Sequence, residues 1–343
     1  MQEPVGVGVL GLGNIGTSHA RALSELSTQA HLVAFSGGDQ QRAADAGWPQ
    51  ATQVAPDDLW QSESIDVIAI CSPSDRHAEQ ALAALRAGKH VLVEKPLALT
   101  VAEAEQVVAL ATARGLVLAV MSQRRLEPEY ATVKRMLAAG ELGTVRLATT
   151  HVHWWRDEEY YAAAPWRSLM DAGGGSMMNQ GVHNVDLLNW LCGPVEQVTA
   201  QFGTLGHQMD AEDTTVATVR FAGGALGMIS TSTATPPGAP ATVTLHLDRG
   251  TIELGQGQVH RWEIDVPLPE FAQDDAGAAS GMSDPSAIGV AGHVSQWRDV
   301  LESIRDGRTP AISGRDGADT VRLISAIYES ARNGRAVRPQ DLT

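Results

Sequence analysis

The stretch Val5-Gly6-Val7-Gly8-Val9-Leu10-Gly11-Leu12-Gly13-Asn14-Ile15-Gly16 decides how the first third of this chain folds. Its first six residues read as a buried β-branched strand, and residues 14–26 then place Ile15, Ala20, Leu23 and Leu26 at helical spacing. Between strand and helix, Gly11 permits a tight turn and Gly13 lets the backbone approach a pyrophosphate. Gly16 lets helix and strand pack closely, while the helix N-terminus stabilises the anion. Leu12, Asn14 and Ile15 complete this candidate phosphate-binding turn.

In folds that begin this way, an acid at the end of the second strand binds the 2′-hydroxyl of NAD. Here His31-Leu32-Val33-Ala34-Phe35 runs into Ser36-Gly37-Gly38-Asp39, and Gly37 stands where the acid would be. No carboxylate at that position repels a 2′-phosphate. Ser36 can donate a hydrogen bond, and Arg42, one helical turn further on, can meet the phosphate bidentately. NADP is therefore the expected cofactor. Asp39, either as a displaced acid or as the cap of a helix starting near Gln40, keeps NAD open.

Strands and helices go on alternating through residue 123. A strand is expected over 65–71 and a helix over 76–87, capped by Ser74 or Asp75 and ended by Gly88. Another strand follows over 90–93, then a helix over 101–114 between Thr100 and Gly115, and a last strand over 116–120. This alternation implies a doubly wound parallel sheet, with residues 1–123 as a dinucleotide-binding domain. Ligands of such sheets sit outside the carboxyl ends of the strands. Glu94 and Lys95, at the end of Val91-Leu92-Val93-Glu94-Lys95-Pro96, face that edge, and Pro96 keeps Lys95 extended. Ser72 and Pro73 end their strand on the same edge, so their backbone borders the cofactor.

Residues 124–343 read as a second domain. A helix over 128–139 and a strand over 145–155 precede a loop rich in aromatics and charge, and helical spacing starts at Met178. Asn179 and His183 are four apart and share a face, while Val182, Val185, Leu188 and Leu191 suit burial. Strand-like runs over 195–204, 214–221, 225–233, 242–247, 251–254 and 259–266 argue for one large, mainly antiparallel open sheet. Apolar residues on both of its faces, such as Val216, Val219, Met228 and Ile229, leave one face for a partner subunit. Residues 270–284 are polar and glycine-rich, a loop before helices over 293–305 and 316–333.

Composition bounds the function. The net charge of −15, without a basic run, makes nucleic acid and anionic membranes poor partners. Neither of the two cysteines has metal-like spacing, and no metal is expected. No apolar run reaches membrane-spanning length and no basic segment precedes an apolar stretch at the N-terminus, so a cytoplasmic protein is expected.

Four segments together resemble the glucose-fructose oxidoreductase / inositol dehydrogenase / rhizopine catabolism (Gfo/Idh/MocA) family. They are residues 11–16, residues 87–97 around Glu94-Lys95-Pro96, Pro165-Trp166-Arg167 with residues 173–183, and residues 326–331. The resemblance covers nearly the whole length. It implies a Rossmann domain, a C-terminal α/β domain with an open sheet used for oligomerisation, and reversible oxidation of a hydroxyl on a sugar, cyclitol or nucleotide sugar. It further implies that Lys95 and His183 are the catalytic pair and that Gln123, Trp166 and Arg167 touch the cofactor. Members often carry Asp four residues before the histidine; here the residue is Asn179.

The expected chemistry follows. His183, whose ordinary pKa of about 6.5 lies near working pH, accepts the hydroxyl proton. Lys95 stabilises the developing charge on the same oxygen. Asn179 cannot ionise and orients a neighbouring substrate hydroxyl. Two other readings stay open: a non-catalytic NAD(P)-binding regulator, and a redox-neutral glycosidase that oxidises its substrate only transiently.

Overall fold

The computed structural model describes residues 3–270 and 290–343. The chain divides into two compact units, residues 1–123 with 290–321, and residues 124–289 with 322–343. The first begins with β1 (Val5–Leu10), α1 (Asn14–Glu25), β2 (Ala30–Ser36), α2 (Gln40–Asp45), β3 (Thr52–Gln53) and α3 (Pro56–Gln61). It continues with β4 (Val67–Ile70), α4 (His77–Arg86), β5 (His90–Val93), α5 (Val101–Arg114) and β6 (Leu118–Val120). These strands form one parallel sheet in the order β3-β2-β1-β4-β5-β6. Central strands are apolar throughout because both faces are covered: Val7, Val9, Val67, Ile68 and Ala69 are all fully buried.

Local chemistry sets the boundaries. Thr100 and Glu103 form a reciprocal capping box at the start of α5, and Gly115 ends it in the left-handed conformation. The cap expected from Ser74 or Asp75 is absent; a 3-10 turn, Ser74–Arg76, leads into α4 instead. Chain order reverses at β1, between β2 and β4, the switch point where doubly wound sheets bind ligands.

The second unit holds α6 (Pro128–Ala138), β7 (Val145–His153), α7 (Glu158–Ala162) and α8 (Val182–Cys192). Then come β8 (Val195–Gly203), β9 (Thr214–Phe221), β10 (Leu226–Ser232), β11 (Thr242–Leu247), β12 (Gly250–Gly255) and β13 (Gln258–Ile264). The sheet order is β13-β12-β11-β7-β10-β9-β8, antiparallel except for the β7–β10 pair. Alternation sorts its faces: Val219 and Ile229 are buried, whereas Val216 and Met228 are 47% and 45% exposed. Helix α8 lies against β7 and β11.

Two helices close the chain, α9 (Ala291–Asp306) and α10 (Gly314–Asn333). The sequence places both with the second domain, but residues 290–321 group with the first unit. Val294, Trp297, Val300 and Leu301 of α9 join the core of Val7, Val9, Leu23 and Leu92. Periodicity marks the apolar face of a helix and not the sheet it will cover. Apart from Glu270, the loop expected over 270–284 lies outside the described residues.

Candidate functional site

In the first unit the candidate residues line the carboxyl ends of the strands. A Cβ on Gly16 would stand 2.2 Å from the carbonyl oxygen of Gly11, and Gly11 has φ +96° with the Cys71 carbonyl in the same position of conflict, so the turn accepts only glycine at both. A Cβ on Gly13, by contrast, meets nothing within 4 Å. No side chain caps α1, so its first-turn N–H groups are left for an anion. The turn thus fits the pyrophosphate of a dinucleotide.

At the end of β2, the Gly11 N–H donates to the Ser36 carbonyl at 2.7 Å, and Gly37 has φ +74°. Asp39 caps α2 by accepting from the Arg42 N–H at 2.9 Å, and its other oxygen lies 3.6 Å from the Arg42 guanidinium. Arg42 Nη1 also donates to the Asn14 side-chain oxygen at 3.2 Å. Arg42 therefore reaches the glycine turn, while Asp39 is engaged as a cap.

His77 is buried and spans the two strand ends: its Nδ1 lies 2.7 Å from the Pro96 carbonyl and its Nε2 2.9 Å from the Ser72 carbonyl. It braces the segments on either side of Pro73 and Lys95. Burial pulls its pKa below the ordinary value. At the end of β6, Gln296 of α9 donates to the Val120 carbonyl at 2.6 Å and accepts from the Ser122 N–H at 3.1 Å. That pairing extends the strand edge up to Gln123.

His19, Glu94 and His293 are buried together, with one ligand-type atom of each lying within 4.8 Å of the others. A metal set would need an unprotonated nitrogen on His19 facing Glu94. Trp297 Nε1–H, which can only donate, lies 3.1 Å from His19 Nδ1, so the proton of His19 resides on Nε2, 3.0 Å from Glu94 Oε1. His19 and Glu94 form a hydrogen-bonded pair, with His293 Nε2 3.9 Å from Glu94 Oε1, and the Glu94 carboxylate turns into the core. The sequence carries no signal for His19, Gln296 or Trp297, because each acts through a partner far away in the chain.

In the second unit the decisive segment differs from its expectation. The helix read from Met178 starts as a π-helical turn, Ser176–Gly181, before α8. Such wide turns recur at functional sites. Along residues 172–188 only Asn179, Gln180 and His183 escape burial. Gly181 has to be glycine, since a Cβ there would lie 2.4 Å from Thr231 Cγ2. Glu212 holds the start of the turn: it accepts from Ser176 Oγ at 2.5 Å, Met177 N–H at 2.8 Å and Tyr328 OH at 2.9 Å. Asp186, three residues past His183, meets Arg125 through two bonds of 2.8 and 2.5 Å, both side chains buried. Asn184 Nδ2 donates to Thr150 Oγ1 at 3.0 Å. These contacts fix the rotation of α8 and leave His183 facing outward.

Trp166 and Arg167 occupy a 3-10 turn, Pro165–Ser168. The Arg167 guanidinium lies 4.1 Å from the centroid of the Tyr160 ring and donates to the Tyr160 carbonyl at 2.9 Å. Gln180 donates to Tyr160 OH at 2.7 Å and accepts from Arg156 at 3.1 Å, which ties this loop to the π-turn. His151 and His153 stack on each other at 5.1 Å, with Thr242 and Ser230 as their partners.

The glycine turn, the strand order and the open α1 N-terminus define an NAD-binding oxidoreductase, and residues 5–122 match the model of the oxidoreductase family with NAD-binding Rossmann fold. Residues 130–253 match the GFO/IDH/MocA C-terminal domain. The chain belongs to the Gfo/Idh/MocA family.

Among solved structures, the WlbA dehydrogenase of Bordetella pertussis, in complex with NADH and UDP-GlcNAcA, is 31% identical at a TM-score of 0.86, over 98% of this chain and 99% of that one. Myo-inositol 2-dehydrogenase of Thermotoga maritima is 26% identical over 98% of this chain and 99% of its own. The scyllo-inositol 2-dehydrogenase (NADP(+)) IolW of Bacillus subtilis is 24% identical over 98% and 96%.

No helix among the described residues is long and apolar enough to cross a membrane.

Proposed function

We propose that this protein reversibly oxidises a hydroxyl of a sugar, cyclitol or nucleotide sugar, with NADP preferred over NAD. The bound nicotinamide supplies the hydride acceptor. His183 takes the hydroxyl proton, Lys95 donates to the same oxygen as negative charge develops, and Asn179 orients an adjacent hydroxyl. The glycine turn 11–16, with Ser36, Gly37 and Arg42, holds the adenosine side of the cofactor. The strand-end residues Ser72, Pro73, Glu94, Lys95 and Gln123, together with Trp166 and Arg167, border the rest.

One observation carries the reading: in an otherwise buried stretch of seventeen residues, 172–188, the polar groups left outward are Asn179, Gln180 and His183, on a helix pinned by buried hydrogen bonds. A structural helix has no need to leave those three out. The named substrates of the relatives, an inositol and a nucleotide sugar, support the class of ligand. We further propose that the exposed face carrying Leu147, Val216, Leu226 and Met228 packs against a second copy of the chain.

A panel of sugars, inositols and nucleotide sugars, read at the nicotinamide absorbance with both cofactors, tests the activity. His183→Ala is expected to lower kcat by two to four orders of magnitude, roughly the contribution of a general base, with cofactor affinity unchanged. Wild-type turnover in that variant refutes the assignment.

A further inference from the structure

Glu94 is buried, and its two oxygens have separate duties. Oε1 accepts from His19 Nε2–H at 3.0 Å, while Oε2 accepts from the backbone N–H of Lys95 at 3.2 Å. Burial disfavours the charge, but the hydrogen bond from His19 favours it and holds the carboxyl below its ordinary value. The carboxylate is ionised.

How far that charge reaches depends on His19. Burial opposes a second proton on its ring, while Cys71 and Glu94 favour one. That proton would have to sit on Nδ1, where the fully buried Trp297 already points its own N–H. Donor would face donor, so the indole holds His19 neutral. His293, four residues before Trp297, stands edge-on to His19 at 5.1 Å with Nε2 3.9 Å from Glu94 Oε1. Burial holds its pKa down to about 4. His77, at the start of α4, also feels Glu94; burial lowers its pKa, while its Pro96 and Ser72 carbonyl partners act the other way. Lys95, next on the strand, places a positive charge near Glu94.

We propose that Glu94 is the buried counter-charge that keeps Lys95 an ammonium, with His19 and Trp297 as positioning residues that stop the charge from being neutralised inside the core. Lys95 then serves as a fixed donor to the reacting oxygen, and the proton is left to His183. This use of Lys95 rests on the function proposed above; the electrostatic part can be measured without turnover.

The chain has only three lysines, Lys89, Lys95 and Lys134, so amine titration can be read residue by residue. The full-length protein is labelled briefly with isotope-coded acetic anhydride across pH 7 to 11, and each lysine is quantified by peptide mass spectrometry. Lys89, whose Nζ donates to the Ser62 and Ile65 carbonyls, serves as the internal reference. In Glu94→Gln the Lys95 midpoint is expected to fall by about one pH unit, giving roughly tenfold faster labelling below the midpoint. Trp297→Phe, which keeps the ring and frees His19 to take its second proton, is expected to lower the midpoint in the same direction. A structural disturbance would alter the plateau rate and leave the midpoint in place. An unchanged midpoint in both variants overturns the proposal, and a shift in Glu94→Gln alone overturns the part given to Trp297. If the shifts appear but Lys95→Ala retains full turnover, the electrostatics stand and the catalytic reading of Lys95 falls.

Discussion

Replacing Arg42 by alanine should abolish the NADP preference proposed above. The guanidinium now rests on Asp39 at 3.6 Å and on Asn14 at 3.2 Å, with side-chain exposures of 42% for Arg42 and 63% for Asp39. An ion pair so exposed contributes about 0–1 kcal/mol, so little holds the guanidinium back from a better acceptor. A charge-assisted hydrogen bond to a 2′-phosphate contributes about 1.5–3 kcal/mol. The difference leaves about 0.5–3 kcal/mol, a roughly two- to 160-fold preference for NADP. Titration of both oxidised cofactors at low salt, followed by tryptophan fluorescence, should show native NADP binding tighter by that factor. In Arg42→Ala the NADP affinity should fall to the NAD value, while NAD affinity changes by less than about twofold. Gly37→Asp should go further and reverse the order. A Cβ at Gly37 comes no nearer than 3.7 Å to Gly11 Cα, and Asp tolerates the φ of +74° better than most residues. Tighter binding of NAD by the native protein, or equal weakening of both cofactors in Arg42→Ala, would mean that Asp39 or a backbone group reads the ribose.

Asp186→Ala leaves the buried Arg125 guanidinium without its carboxylate and should destabilise the protein by about 3–5 kcal/mol in urea unfolding. A loss under about 1 kcal/mol would show that this pair does not hold α8 in place. Met228→Asp, on the exposed sheet face, should convert an oligomer to monomer in light scattering while leaving the thermal midpoint almost unmoved. A native protein that is already monomeric at micromolar concentration refutes that use of the face.

Wherever the information is local, the sequence was legible. The strands of the first sheet are short apolar runs bounded by turn residues, and Thr100 and Gly115 frame α5 as their chemistry requires. The exposed and buried alternation of Val216, Val219, Met228 and Ile229 could be read without coordinates. Reading failed where distant residues decide. The π-turn 176–181 has helical spacing, and its extra width depends on Glu212, Tyr328 and the close approach of Thr231 to Gly181. In sequence His293 only opens a helix, since its burial beside Glu94 depends on which sheet α9 covers. The same holds for Glu94, which sits at a cofactor edge in sequence but whose carboxylate faces inward to His19.

Because residues 290–321 belong with residues 1–123, the nucleotide-binding unit is interrupted during synthesis. The glycine turn and all six of its strands leave the ribosome early, but Trp297, Val300 and Leu301, which complete their core, come only after residues 124–289. At about 5–20 residues per second, those 166 residues take roughly 8–33 s to make. For that interval Val7, Leu23 and Leu92 lack a covering helix, and His19 lacks the indole that directs its proton. The first unit to emerge is therefore completed only after most of the second has been made, and a chaperone that shields nascent apolar surface has its window there.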